Sequence, residues 1–149
     1  MAFRFPLQAL RRVRSIYERR ERQRLEILVQ RLAQAEKELA ALRKVRLEQA
    51  GALAKSLKEG MSGAELQFQV VCSTLCQRRI SVAVQRADDV SQQHQRQLTV
   101  YRQARQKTEV MERLYQRYLS SYRRTQTRRE QQQATDLFVI CSQTANDGY

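Results

Sequence analysis

One proline and four glycines in 149 residues leave this chain almost without the residues that make turns. A sequence with so little punctuation changes direction rarely and is built of long elements. There is no tryptophan and a single histidine, His94. Three cysteines, Cys72, Cys76 and Cys141, are an odd number, and no second Cys/His pair completes a tetrahedral zinc set. They read as reduced thiols of an intracellular protein. No window holds the roughly 18 consecutive apolar residues of a membrane span, and the N-terminus lacks the apolar core of a secretory signal. Its first residues are Arg-rich and acid-poor, as in a mitochondrial transit peptide, but the amphipathic pattern runs on past them. No glycine-rich phosphate loop is present.

What the chain has is charge. Lysine and arginine number 28 against 15 acidic residues, a formal net charge of +13. Such an excess calls for an acidic partner: nucleic acid, an anionic membrane or an acidic protein surface. Charge alone does not choose among them.

The one break is Gly60-Met61-Ser62-Gly63. The glycines give the backbone freedom that ends a helix and turns the chain, and Ser62 to Glu65 matches the Ser-x-x-Glu capping box that starts the next. The expectation is an all-α protein, a single antiparallel coiled-coil hairpin over 1–149. Its parts are helix one over 6–59, the turn over 60–63, helix two over 64–135 and a C-terminal tail over 136–149. Pro6 suits the first helical position, with Phe3 and Phe5 stapling the start. At 1.5 Å per residue the helices reach about 80 Å and roughly 110 Å, so the second overhangs.

In helix one, Leu25, Leu28, Leu32, Ala35, Leu39 and Leu42 alternate steps of three and four, the heptad signature of a coiled coil. Before them Leu7, Leu10, Val13 and Tyr17 mark an apolar face, and the step of eight from Tyr17 to Leu25 implies a slipped, relaxed seam. After Leu42 the pattern loosens through Val45, Ala50, Leu53 and Leu57. Helix two carries a more polar seam at Ile80, Val84, Ala87, Ser91, His94, Leu98, Tyr101, Arg105, Thr108, Met111, Tyr115, Tyr118 and Tyr122. Its polar members cost stability and fix register. Folding at the turn brings Leu7 near Tyr115. The start of helix one, with Arg11, Arg12, Arg14, Arg19, Arg20, Arg22 and Arg24 against Glu18 and Glu21, then shares an end with Arg123, Arg124, Arg128 and Arg129.

Two helices do not gather residues into a catalytic pocket, so the reading is non-enzymatic. No cofactor and no metal is expected. His94 falls on the seam as a register residue; Asp88 and Asp89 diverge by about 100° on a helix and belong to a solvated face. Tyr101, Tyr115, Tyr118 and Tyr122 among arginines suggest base-stacking in a basic groove, yet their seam spacing favours packing with the hydroxyls at its edge. After the turn, Phe68, Val70, Val71, Leu75 and Val82 exceed what one facing helix covers, and form either a folded-back tip or a docking patch. Leu137-Phe138-Val139-Ile140-Cys141 is too short to span a membrane and reads as a last turn, a floppy tail or a docking segment.

The opening FRFPLQALRRVRSIYERRERQRLEILVQRLAQAEKELAALRKVRLEQ, with Phe3, Phe5, Leu7, Leu10 and Arg14 in the spacing aromatic-x-aromatic, Leu-x-x-Leu, Arg, resembles the N-terminal half of the FliJ family. Over helix two the likeness lies in length, layout and glutamine-rich character. The resemblance implies a stalk component of the flagellar type III export apparatus, similar to the rotor-stalk subunit of rotary ATPases. It implies three partners: the hexameric export ATPase, the cytosolic domain of the export-gate membrane protein, and export chaperones. The place would be cytoplasmic, peripheral at the inner membrane through those partners. Injectisome stalk proteins share this architecture.

The candidate ATPase-binding residues are Arg11, Arg12, Arg14, Arg19, Arg20, Arg123 and Arg124. Those for the export gate are Phe68, Val71, Leu75 and Val82. The competing readings are a basic coiled-coil nucleic-acid binder, which the charge favours but no groove-reading motif supports, and a self-assembling coiled-coil scaffold. The stalk reading takes no nucleic acid.

Overall fold

A computed structural model describes residues 3–146. Two helices, α1 (Gln8–Glu59) and α2 (Gly63–Asn146), make up almost all of it, and no strand occurs among the described residues. The fold is the expected all-α pair of packed helices, with the second longer at 84 residues against 52.

The link between them follows from its residues. Gly60 has φ +95°, the left-handed conformation that stops α1 and that side chains resist. Ser62 and Glu65 then cap α2 reciprocally. The Glu65 N–H donates to Ser62 Oγ at 3.3 Å, while the Ser62 N–H and hydroxyl each donate to Glu65 Oε2 at 2.9 Å. At the other end Pro6 and Leu7 form a turn rather than the first helical residues: the Gln8 N–H donates to the Phe5 carbonyl at 3.2 Å, and α1 starts at Gln8.

The chain divides into two compact units, Arg19–Gln103 and Met1–Glu18 with Ala104–Tyr149. In Arg19–Gln103 the helices run antiparallel, as the pairs Glu21 with Gln97, Glu38 with Arg86 and Arg46 with Gln77 show. Its seam is the leucine run: Leu25, Leu28, Leu32, Leu39 and Leu42 are half-buried and Ala35 is buried, against buried Cys76, Ile80 and Ala87. His94 and Tyr101 are half-buried in the same row. Beyond Leu42 the three-four steps lead to Leu53 and Ser56, both half-buried, whereas Val45, Ala50 and Leu57 are exposed. The phase fixed by the leucines persists, and those three apolar residues lie out of step with it.

The other unit overturns the expected apolar face of α1. Arg11, Arg14 and Glu18 are half-buried, while Leu7, Leu10, Val13, Ile16 and Tyr17 are all exposed, Val13 and Ile16 at 60%. Positions 11, 14 and 18 keep the three-four phase of the leucine run, so no slip occurs. Long basic side chains cover the seam with their methylene stems instead. Opposite them Ala104 and Met111 are buried, and Thr108, Tyr115 and Tyr122 are half-buried. Arg105, expected in the seam, is exposed; Ala104, 3% accessible, takes that place. Thr108 Oγ1 donates to the Arg14 carbonyl at 3.4 Å across the pair.

Helix α2 does not end near residue 135. It continues to Asn146 through the expected tail, since glutamine is a good helix former and nothing in the Gln131 to Gln133 run breaks the ladder. Residues 127–141 are all exposed, so α2 overhangs in this unit. The last three residues of the expected tail lie outside the described residues.

Candidate functional site

The expected gate residues sit on one face of α2. Phe68, Val71, Leu75 and Val82 follow steps of three, four and seven, and are 66%, 52%, 51% and 52% exposed. They lie beside the row of Cys76 and Ile80 rather than in it, which leaves them uncovered by α1. Leu75 and Val82 line a shallow groove with Leu42 of α1 and with Arg78, Arg79 and Arg86 of α2. Phe68 and Val71 extend the same strip toward the turn. Val70, equally exposed, points to another side of the helix. The margin of this stripe is mainly basic, with Glu38 of α1 4.0 Å from Arg86, and the folded-back tip does not occur: α2 is one continuous helix from Gly63.

The candidate ATPase-binding arginines divide between the units. Arg11, Arg12, Arg14, Arg123 and Arg124 belong to one, and Arg19 and Arg20 to the other. Arg12, Arg19, Arg20, Arg123 and Arg124 are exposed and make no ion pair among the described residues, while Arg14 is half-buried. Their charge is therefore available to a ligand. Arg11 is engaged internally. Its Nη2 lies 2.7 Å from Glu112 Oε2, its Nε donates to the same oxygen at 2.9 Å, and its guanidinium sits 4.0 Å over the Tyr115 ring.

That ring belongs to an aromatic cluster: Phe3 and Phe5, expected to staple the entry to helix one, pack on tyrosines of α2. Phe5, 6% exposed, meets Tyr115 at 5.3 Å and Tyr118 at 5.5 Å, both edge-on, and Phe3 meets Tyr115 and Tyr122 at 5.7 and 5.3 Å. These tyrosines pack rather than form an open row for stacking bases.

Two features escaped the sequence reading. One is the exposed apolar strip Leu10, Val13, Ile16 and Tyr17, which hydropathy alone places in a core. The other is Glu21, 1% exposed, whose carboxylate accepts from Arg24 Nη1 at 2.7 Å and from Gln97 Nε2 at 2.6 Å. Its position seven before Leu28 marked it as a seam residue, but its charge hid it. Among the described residues no group of histidine, cysteine and acidic residues able to hold a metal occurs, at His94 or elsewhere. Asp88 and Asp89 are exposed.

Residues 3–142 match the family model described as Flagellar FliJ protein. No curated protein and no solved structure matches the chain.

Proposed function

The chain belongs to the FliJ family, and from that premise we propose that it is a non-enzymatic stalk of the flagellar type III export apparatus, bridging the hexameric export ATPase and the cytosolic domain of the export gate. The observation that carries this reading is the family match over residues 3–142, which takes in nearly all of both helices. Attendance on export chaperones and a peripheral place at the cytoplasmic face of the inner membrane belong to the same proposal.

The surfaces support a division of labour. The unpaired arginines Arg12, Arg14, Arg19, Arg20, Arg123 and Arg124 suit an acidic ATPase ring, since uncompensated charge speeds encounter with an opposite field. The strip Phe68, Val71, Leu75 and Val82 suits the gate, because an exposed apolar row rimmed by arginine is the composition of a docking surface. The strip Leu10, Val13, Ile16 and Tyr17 adds apolar contact area in the unit that holds Arg12 and Arg14.

Leu75→Asp tests the gate assignment. It places a charge in the middle of the stripe without touching the seam, so helicity is retained while binding to the isolated cytosolic gate domain is lost. Normal binding by the folded variant would remove the gate from this stripe. The nucleic-acid reading makes the opposite demand, that the chain bind a DNA or RNA duplex at physiological salt more tightly than it binds the ATPase.

A further inference from the structure

We infer that the C-terminal third of α2 is a direct binding element for anionic lipid, an interfacial helix distinct from any contact made through protein partners. Ala134, Leu137, Phe138 and Cys141 follow steps of three, one and three and so share one face of α2. All are exposed, Leu137 at 63% and Phe138 at 74%, and α1 covers no part of this stretch. Val139 and Ile140, at 44% and 56%, carry apolar surface onto further sides of the same helix. A single groove in a protein covers one stripe. The headgroup and acyl boundary of a bilayer takes a broader apolar face than a groove does.

The charge next to this stretch selects the lipid. Arg123, Arg124, Arg128 and Arg129 are exposed, form no ion pair among the described residues, and have Glu130 and Asp136 as their acidic neighbours in sequence. Arg124 and Arg129 flank the apolar face on opposite sides by helical geometry, where long side chains extend into the headgroup layer while Leu137 and Phe138 sink below it. No helix of the chain is long and apolar enough to cross a membrane among the described residues, so the element lies on the surface. Two weak signals, a basic cluster and a short apolar face, together give stable attachment where either alone does not. Each basic residue near an anionic leaflet strengthens binding about five-fold.

The test is flotation of the full chain with vesicles of equal parts phosphatidylglycerol and phosphatidylcholine, against vesicles of phosphatidylcholine alone. The expected result is binding to the anionic vesicles only. Arg123→Gln/Arg124→Gln/Arg128→Gln/Arg129→Gln and Leu137→Ser/Phe138→Ser should each lower it at least about ten-fold. All six residues are exposed, and only Arg129 lines a groove with Phe3 and Arg4, so retained helicity, checked by circular dichroism, accompanies each variant. An environment-sensitive fluorophore on Cys141, in a Cys72→Ser/Cys76→Ala background, should shift to the blue on the anionic vesicles. Failure to float overturns the proposal and returns the segment to a protein partner. Binding that the arginine substitutions abolish but Leu137→Ser/Phe138→Ser leaves intact, with an unshifted fluorophore, would also overturn it, since only a diffuse basic surface would remain. Arg123 and Arg124 are also candidates for the ATPase, so flotation is run without it; neither result bears on the gate contacts.

Discussion

Glu21, almost wholly enclosed on α1, takes a 2.6 Å hydrogen bond from Gln97 Nε2 of α2, and the same amide lies 3.2 Å from the Glu21 carbonyl oxygen. Of the polar residues in the seam of Arg19–Gln103, this carboxylate is the most deeply buried, and its satisfaction depends on one alignment of the two helices. A shift by one heptad would move Gln97 out of reach and set Val90 or Ala104 in its place. The pair therefore specifies register, the best-attested use of a buried polar group in a coiled coil.

Removing one partner of that pair should be costly and removing both should not. Gln97→Leu leaves Glu21 with Arg24 alone and should lower stability by about 2 kcal/mol. Glu21→Leu/Gln97→Leu should restore or exceed wild-type stability. Urea unfolding followed by circular dichroism distinguishes them; an unchanged midpoint for Gln97→Leu would show that the amide does not support the carboxylate.

The aromatic staple predicts a larger loss at the start of the chain. Phe5→Ala empties a buried site between Tyr115 and Tyr118 and should cost about 3 kcal/mol. Hydrogen exchange should quicken in α1 near Arg11 and in α2 near Tyr115 before it quickens around Leu32. Uniform quickening would mean that the cluster does not act locally.

The turn carries a pH signature. The backbone N–H of Ser62 and then its hydroxyl hold the Glu65 carboxyl below its ordinary value of 4.5. Because the folded-state value is the lower one, the capping contribution is complete above the unfolded-chain value and disappears as pH falls through the folded one. Wild type should melt above Glu65→Gln at neutral pH, and the gap should close under acid conditions below that ordinary value. A gap that persists there would place the capping elsewhere. Gly60→Ala should destabilise by about 1 kcal/mol at any pH, because alanine is strained at φ +95° even though nothing crowds the added carbon.

The turn, the cap and the leucine run were legible in the sequence because each is written locally: Gly60, Ser62 with Glu65, and six residues from Leu25 to Leu42 in unbroken three-four steps. The beginning of α1 was not. Hydropathy marks Leu10, Val13 and Tyr17, but the helix keeps the phase of its leucines and turns Arg11, Arg14, Glu18 and Glu21 inward. A partner such as Tyr115 or Gln97, remote in sequence, decides whether such a residue can be buried. Arg105 failed for a related reason, since a step of three to Ala104 and a step of four to Arg105 are equally regular and only packing prefers the small side chain. The apolar stripe around Leu75 could be read as surplus apolar residues, but that it lies beside the seam rather than in it required the position of α1.

Docking of this FliJ-family chain on the export ATPase through its exposed arginines is read out by association kinetics with the purified hexameric ATPase. Exposed ion pairs contribute at most about 1 kcal/mol each, so a single substitution should barely register. Arg12→Glu/Arg19→Glu/Arg20→Glu/Arg124→Glu, which spares Arg11 and its contacts with Glu112 and Tyr115, should lower the association rate at least about ten-fold while leaving helicity unchanged. Added salt should slow the wild-type protein in the same direction, as the Debye length shortens from about 8 Å at physiological ionic strength. An association rate indifferent both to salt and to the fourfold reversal would contradict the account and assign the basic surface to another ligand.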